Sequence, residues 1–476
     1  MQRLTGQDAI FLYRETATSI MHTLKVHIIE LADPNASFEQ LREKLVENLL
    51  TKPILRKRIV PVPFGFHHPV MVDDPDFDIN AHIFRAAIPA PGTMRELDDM
   101  VAQLASTRLD RSRPLWEMWI LEGLESGHVA VVHKIHHAMA DGMAYVGFMS
   151  SGWAENAAEE EIPDPAPPLP GSIRLLWDAL MDHVKEDIWN LWPILRSFFG
   201  NLKELSDRNK LAEVPRVNPL TAEFPRTRFN YALGVRRSYS TCQLSLAEVK
   251  ALKNKLGVTL NDVILAISAG ALREYLLMHN ELPSGPLGLS IPVGADEPGS
   301  TRQMGNNVTT IFSMLHTELA DPLERLYAIR KETEQGKSDL EVFGKHQWGD
   351  LMEYVPPSLM TWYCRRNFRK KPANKPDFRP NANVVVSNVP GPRKLLGNED
   401  GKLAALYSVG VLGEGMGLNI TLWSYADQLN VGLLACHKAM PDLQRLREAF
   451  PRAVAELQQA AAKAAPITET DADTHT

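Results

Sequence analysis

An apolar stretch that runs straight into two histidines, a carboxylate and a glycine constrains this chain more than any other part of it. Val129-Ala130-Val131-Val132-His133-Lys134-Ile135 reads as a buried strand. His136-His137-Ala138-Met139-Ala140-Asp141-Gly142 follows directly. Beyond it, Met143, Val146 and Met149 recur at the spacing of a helix face. Both imidazoles and the carboxylate are therefore expected on a tight strand-to-helix connection, with Gly142 relieving a turn where a side chain would clash. Imidazole is the side chain whose unperturbed pKa lies near neutrality, so a histidine held there can take a proton from a reacting group. A lone histidine beside a core strand is usually a packed structural residue. Here the pair, the four-residue step from His137 to Asp141 and the glycine arrive together.

A chain of 476 residues exceeds one ordinary core, which predicts two domains. Its 44% apolar and 23% charged residues are the balance of a soluble globular protein. A net charge of −7 supplies no overall basic field for nucleic-acid phosphates. The three cysteines, Cys242, Cys364 and Cys436, are far apart, suggest neither disulfide framework nor metal cluster, and fit a cytoplasmic protein. No metal site and no permanently bound cofactor is expected. The first residues lack the apolar core of a signal peptide. No run of about 18 uncharged apolar residues occurs. Membrane association is thus expected to be peripheral, on the inner membrane or on lipid droplets.

Residues 1–153 read as a mixed α/β domain: Leu24 to Ile29 alternates like a strand, and Ser37 with Gln40 forms a capping box for the helix that follows. Residues 154–234 form a connecting region. It opens on Glu159-Glu160-Glu161 and five prolines between Pro163 and Pro170, a stiff extended linker. From Ile173 to Leu205 an amphipathic stretch carries Trp177, Trp189 and Trp192, with Pro193 expected to kink or break it. Two readings of this stretch stand side by side: a crossover helix packed on its own protein, or a segment lying on a lipid surface. Its acidic residues Asp178, Asp182, Glu186 and Asp187 do not favour anionic lipid. Residues 235–465 read as a second domain, with a helix from Val263 to Met278, strands at 383–387, 406–412, 418–423 and 429–434, and a final helix after Pro441. The polar tail 466–476 is expected to be disordered.

Four spaced elements join the histidine run. Pro114-Leu115-Trp116 precedes it, Asn261-Asp262 and Ser387-Asn388-Val389-Pro390-Gly391-Pro392 follow it, and Leu4, Asp8 and Met21-His22 stand near the start. In this order, over nearly the whole chain, they resemble the PLW, HHxxxDG, ND and SNVPGP elements of the bacterial wax ester synthase/diacylglycerol acyltransferase family of CoA-dependent acyltransferases. The DFGWG signature of plant-type relatives is absent. Leu434-Ala435-Cys436-His437-Lys438 departs from the acidic residues of many relatives, which bears on substrate preference and local ion pairing.

The resemblance implies an α/β fold of two chloramphenicol-acetyltransferase-like sandwich domains, with the active site in a tunnel at their interface. It implies an O-acyltransferase carrying a long-chain acyl group from acyl-CoA, the cosubstrate, to a fatty alcohol or diacylglycerol. His137 would be the general base, and His136 would pack behind it. Asp141 would pair with an arginine and hold the loop, Arg236, Arg237 and Arg302 being candidates. Asn261 is either a helix-start residue or an amide donor near a developing oxyanion. Asp262 suits a helix dipole better than acid catalysis. Pro114, Leu115 and Trp116 suit a strand start anchored by a buried tryptophan, or the substrate site. Ser387, Asn388, Pro390 and Gly391 form a rigid turn, read either as structure alone or as a border of the acyl-CoA tunnel. The cations Arg365, Arg366, Arg369, Lys370, Lys371 and Lys375 are either solvated or set for CoA phosphates or anionic headgroups. Two other functions stay open: a non-catalytic lipid-binding or droplet-surface protein of this fold, and a condensation-type enzyme using carrier-bound acyl groups.

Overall fold

A computed structural model describes residues 1–145, 166–184, 188–211, 222–296, 302 and 305–463. The helix expected beyond Gly142 is described only to Tyr145; most of the proline-rich segment and the tail from Pro466 lie outside the described residues. The first half holds strands β1 (Gln2–Arg3), β2 (His22–Leu31), β3 (Lys57–Val60), β4 (Val70–Asp73), β5 (Ile83–Ala87), β6 (Trp116–Glu122) and β7 (Val129–His136). Its helices are α1 (Gly6–Arg14), α2 (Phe38–Leu50) and α3 (Met94–Ser106). Helices α4 (Ser172–Asp182) and α5 (Ile188–Leu211) lead to β8 (Arg237–Ser245), α6 (Leu246–Leu256), α7 (Leu260–Met278), β9 (Leu287–Gly294) and β10 (Val308–Leu315). The remainder comprises α8 (Pro322–Phe343), α9 (Gln347–Glu353), α10 (Pro357–Lys370), β11 (Val384–Pro390), β12 (Gly397–Asn398), β13 (Gly401–Val409), β14 (Leu418–Tyr425), β15 (Gln428–Cys436) and α11 (Leu443–Lys463).

These strands build two six-stranded sheets, β12-β13-β2-β7-β6-β5 and β10-β9-β11-β14-β15-β8, beside a small sheet of β1, β4 and β3. The mixed α/β architecture is thus the one expected. The boundary at 235 separates chain segments and not sheets, because β12 and β13 come from the C-terminal half and complete the N-terminal sheet. β13 pairs antiparallel with β2 from Gly401↔Leu31 to Val409↔Leu24.

Alternation along β2 points Leu24, Val26 and Ile28 to one face and Thr23, Lys25 and His27 to the other. Both faces are buried, the first beneath α3 and the second beneath α2 and Tyr145. The capping box of α2 forms, with Ser37 N donating to Gln40 Oε1 at 2.9 Å and Gln40 N to Ser37 Oγ at 3.3 Å. In the second half, α6, α7, α8 and α11 pack on the sheet around a core that includes Leu265, Leu272, Ile420, Val431 and Phe450. Pro193 lies inside α5 and does not end it; residues 185–187, between α4 and α5, lie outside the described residues. Lacking an N–H, Pro193 leaves one upstream carbonyl without its partner, which the helix tolerates.

The sheets meet where β13 crosses β15. A Cβ on Gly432 would stand 2.2 Å from the Ser408 carbonyl oxygen, so only glycine permits this approach. Gly432→Ala is expected to cost about 1–3 kcal/mol through overpacking, read as a lower midpoint in urea unfolding.

Candidate active site

His137 stands one residue beyond β7. Its backbone N–H donates to Met21 O at 2.8 Å, which prolongs the β2–β7 pairing by one step. The Phe11 ring stacks on the imidazole, with centroids 4.1 Å apart and planes 17° apart, and so fixes the ring plane. Nδ1 meets Asn306 Oδ1 at 2.8 Å. The Asn306 amide nitrogen donates to Asp8 Oδ1 at 2.8 Å and to the His137 carbonyl at 2.7 Å. Both of its donors are thereby used, and Oδ1 is left to accept. Nδ1 therefore carries the proton, and Nε2 carries the lone pair a base needs.

Asp8 is held in turn by the Asn306 backbone N–H at 2.6 Å and by the Thr5 hydroxyl at 2.8 Å. Burial raises the Asp8 carboxyl above its ordinary range, against these bonds, which lower it. Burial likewise lowers the His137 pKa; Asp141 opposes the shift, and Lys25 reinforces it. The imidazole is consequently neutral near pH 7.

Asp141 does not touch His137. Its carboxylate is 1% exposed, and Oδ2 accepts from Arg302 at 2.7 Å and from Asn307 N at 2.9 Å. Oδ1 accepts from Ala144 N at 2.8 Å. Arg302 also grips Asp296 through two nitrogens at 2.9 and 2.8 Å. Of the three candidate arginines, Arg302 faces Asp141. Arg237 instead donates to the carbonyls of Gly234 and Thr18, and Arg236 lends its carbonyl to His437 N. Two backbone bonds complete the seam: Gly305 N to Met139 O at 2.7 Å and Asp141 N to Gly305 O at 3.1 Å. Loop and histidine are thus clamped between the two halves.

His136 is buried on the strand side, and its Nδ1 accepts from Ala138 N at 3.1 Å. Burial, then Arg111 and His137, push its pKa well below the ordinary value, so it stands neutral behind its neighbour. Gly142 does not relieve the turn in the way expected of it. Its φ is not left-handed, and an added Cβ would reach Val389 at 3.5 Å, an ordinary contact. The space a glycine leaves there is filled by the Ser387–Gly391 segment, so that turn is brought against the motif. Gly391 is the tighter position, since a Cβ would lie 2.4 Å from Ser424 O.

Other expected site residues serve the fold. Leu115 and Trp116 are buried; Leu115 O accepts from His136 N at 3.0 Å and Trp116 Nε1 donates to Leu55 O at 2.7 Å. Pro114, just before β6, is buried with them. Thr259, not Asn261, caps α7. Asp262 completes that cap with one oxygen, 2.9 Å from Thr259 N, and takes the Thr333 hydroxyl at 3.1 Å on the other. No hydrogen bond or ring contact among the described residues joins Asn261 or Asp262 to His137.

Three residues that sequence reasoning did not single out enter here: Asn306, Phe11 and Lys25. Asn306 follows Gly305, whose φ of +76° was the available hint of a special turn, though not one visible without a structure. Lys25 is buried on β2; Nζ donates to Ser408 Oγ at 2.7 Å and lies 5.1 Å from the Trp423 ring centre. Burial lowers its pKa to about 7. Nearby, a largely apolar cavity of about 170 Å³ lies between α2 and the sheet, walled by Leu41, Leu45, Met118 and Val131. At its inner end the Tyr145 hydroxyl meets His27 at 3.1 Å and His133 at 3.0 Å. Among the described residues no group of three His, Cys, Asp or Glu is placed to hold a metal.

The family model for the wax ester synthase/diacylglycerol acyltransferase catalytic domain matches residues 4–264, and that for the C-terminal domain of the same family matches 304–458. Two proteins of Mycobacterium tuberculosis H37Rv named for diacylglycerol O-acyltransferase activity are 34% and 35% identical to the chain, each covering 98% of it and 99% and 98% of their own length. The solved wax ester synthase/diacylglycerol acyltransferase of Marinobacter aquaeolei VT8 superposes with a TM-score of 0.67 at 25% identity, over 97% of this chain and 100% of that one. The first condensation domain of the CDA synthetase, at 13% identity and a TM-score of 0.58 over 99% and 98% of the two chains, shares the fold.

Removing the Lys25 ammonium should let His137 protonate more readily. In histidine-resolved NMR titrations the His137 pKa is expected below about 6.5 in the native protein and higher in Lys25→Met.

Proposed function

Because the chain belongs to the wax ester synthase/diacylglycerol acyltransferase family, we propose that it is an acyl-CoA-dependent O-acyltransferase, with His137 Nε2 as general base. The observation that carries this reading is the Asp8–Asn306–His137 chain, which fixes the one tautomer able to accept a proton at Nε2.

The acceptor is a fatty alcohol or diacylglycerol hydroxyl. Nε2 takes the hydroxyl proton as the oxygen attacks the thioester carbonyl of a long-chain acyl-CoA. The tetrahedral intermediate collapses with loss of the CoA thiolate, and the imidazolium returns the proton to that sulfur. No covalent enzyme intermediate is required, and a positioned base of this kind contributes about 10²–10⁴-fold. Asn306 and Phe11 are positioning residues, since they hold the ring and make no contact with reacting atoms. Asp141 acts at one remove, by holding the loop to Arg302. The two halves are proposed to enclose a tunnel in which both substrates meet at Nε2, where exclusion of water protects the thioester from hydrolysis. The cavity beneath α2 offers an aliphatic side of Leu41, Leu45, Met118 and Val131 to a stretch of hydrocarbon chain, with His27, His133 and Tyr145 lining it as well. We place the reaction at the cytoplasmic face of a membrane or on a lipid droplet, where such acceptors reside; no single helix among the described residues is long and apolar enough to cross a bilayer.

The test is CoA release from palmitoyl-CoA with hexadecanol and, separately, with dioleoylglycerol, and identification of the ester formed. His137→Ala should lower the rate by at least about 10²-fold; equal rates would remove the assignment. Asn306→Ala should lower kcat by up to about 10²-fold with little change in KM, because the base is misaligned while binding is kept. The acid limb of kcat/KM should fall below about pH 6.5, since a depressed histidine pKa keeps the base form populated to lower pH.

A further inference from the structure

Three adjoining segments of this protein turn large apolar side chains outward. In the turn after β3, Phe64 is 90% exposed with φ of +61°, a strained conformation for an aromatic residue and one that core packing does not reward. On α4, Ile173, Trp177 and Leu180, with Val184 just past its end, repeat at i, i+4, i+7 and i+11 and all are exposed, Ile173 at 85% and Trp177 at 60%. The opposite face of α4 buries Leu175 against Val70 and Val72, so the helix already has its packing partner. On α10, Leu359, Trp362 and Tyr363 are exposed in the first two turns, and Arg365, Arg366, Arg369 and Lys370 in the rest.

The turn joins the two helices. The His183 ring, just past α4, stacks on His67 at 4.2 Å and meets Phe66 O at 3.1 Å. On the other side Gly65 packs so closely on α10 that a Cβ would come 3.2 Å from Ser358 N. The acidic residues of α4 do not spoil the surface. Asp182 pairs with Arg3 at 2.6 Å and Asp178 lies 3.9 Å from Arg174. On α10, Arg366 lies 5.2 Å from the Trp362 ring centre, aromatic and cation side by side.

We infer that the face made by the Phe64 turn, α4 and α10 docks on an anionic phospholipid surface. Aromatic and aliphatic side chains enter the headgroup boundary, and the α10 cations meet lipid phosphates. This extends the lipid-surface placement proposed above, but vesicle binding needs no turnover, so it is tested apart from catalysis.

The full chain is floated with vesicles of phosphatidylcholine alone and with vesicles containing phosphatidylglycerol. Binding is expected to be strong only to the second, and to fall steeply as salt is raised. Phe64→Ser with Trp362→Ser should weaken it at least about tenfold through lost apolar burial. Arg366→Glu, Arg369→Glu and Lys370→Glu together should weaken it about a hundredfold or more and abolish the lipid preference. Thermal unfolding should be unchanged, since these side chains face solvent. The inference fails if the native chain does not bind anionic vesicles, or if both variants bind as the native chain does. It also fails if the charge variant keeps its vesicle binding but raises KM for soluble acyl-CoA, or if the aromatic variant instead dissociates a dimer in sedimentation.

Discussion

The pairing of Asp141 with Arg302 is the interaction on which the geometry of the centre rests. Both come from loops, and loops are the parts of a fold with least packing to define them. A buried carboxylate without a partner costs several kcal/mol, so Asp141 can be buried only with Arg302 and the Asn307 amide in place. Asp296 holds the far side of the same guanidinium, which keeps Arg302 from turning away. The charge network therefore fixes the separation between the histidine motif and the 305–307 turn. That separation in turn sets the hydrogen bond between His137 and Asn306.

An amide, rather than a carboxylate, orients the base. A carboxylate on Nδ1 would stabilise the imidazolium and raise its pKa. Asn306 fixes the tautomer at a smaller electrostatic bias, and Asp8 lies one hydrogen bond further away. Burial and the Lys25 ammonium then hold the ring neutral. The histidine can thus remain an acceptor at neutral pH while still being rigidly aimed.

Much of this was legible in the sequence because it is local. The strand before His136, the capping box at Ser37 and the long apolar helix after Thr259 each follow from periodicity and cap chemistry within a few residues. The motif and its spaced companions pointed to His137 and to the α/β architecture. What was not legible depends on contacts between distant segments. Asn306 is one asparagine among many until Gly305 is seen to bridge Ala140. Gly142 was expected to serve the turn, whereas its φ is not left-handed and a Cβ there would meet Val389 only at ordinary contact distance. Asp262, expected at a helix start, completes the cap of α7, and its second oxygen is taken by Thr333 from the distant helix α8. The membership of β13 in the N-terminal sheet leaves no local mark, since a central strand reads the same in either sheet.

That exchange of β13 has a consequence for how the nascent chain matures. β2 emerges from the ribosome early, but the strand that covers its outer edge is among the last parts to be made. Until then the N-terminal sheet has an open edge of apolar residues, a template for mispairing with other chains. Lys25 sits in the middle of that edge and points inward, the kind of charge that discourages such pairing. A side chain that tunes the imidazole in the finished enzyme thereby guards the unfinished one.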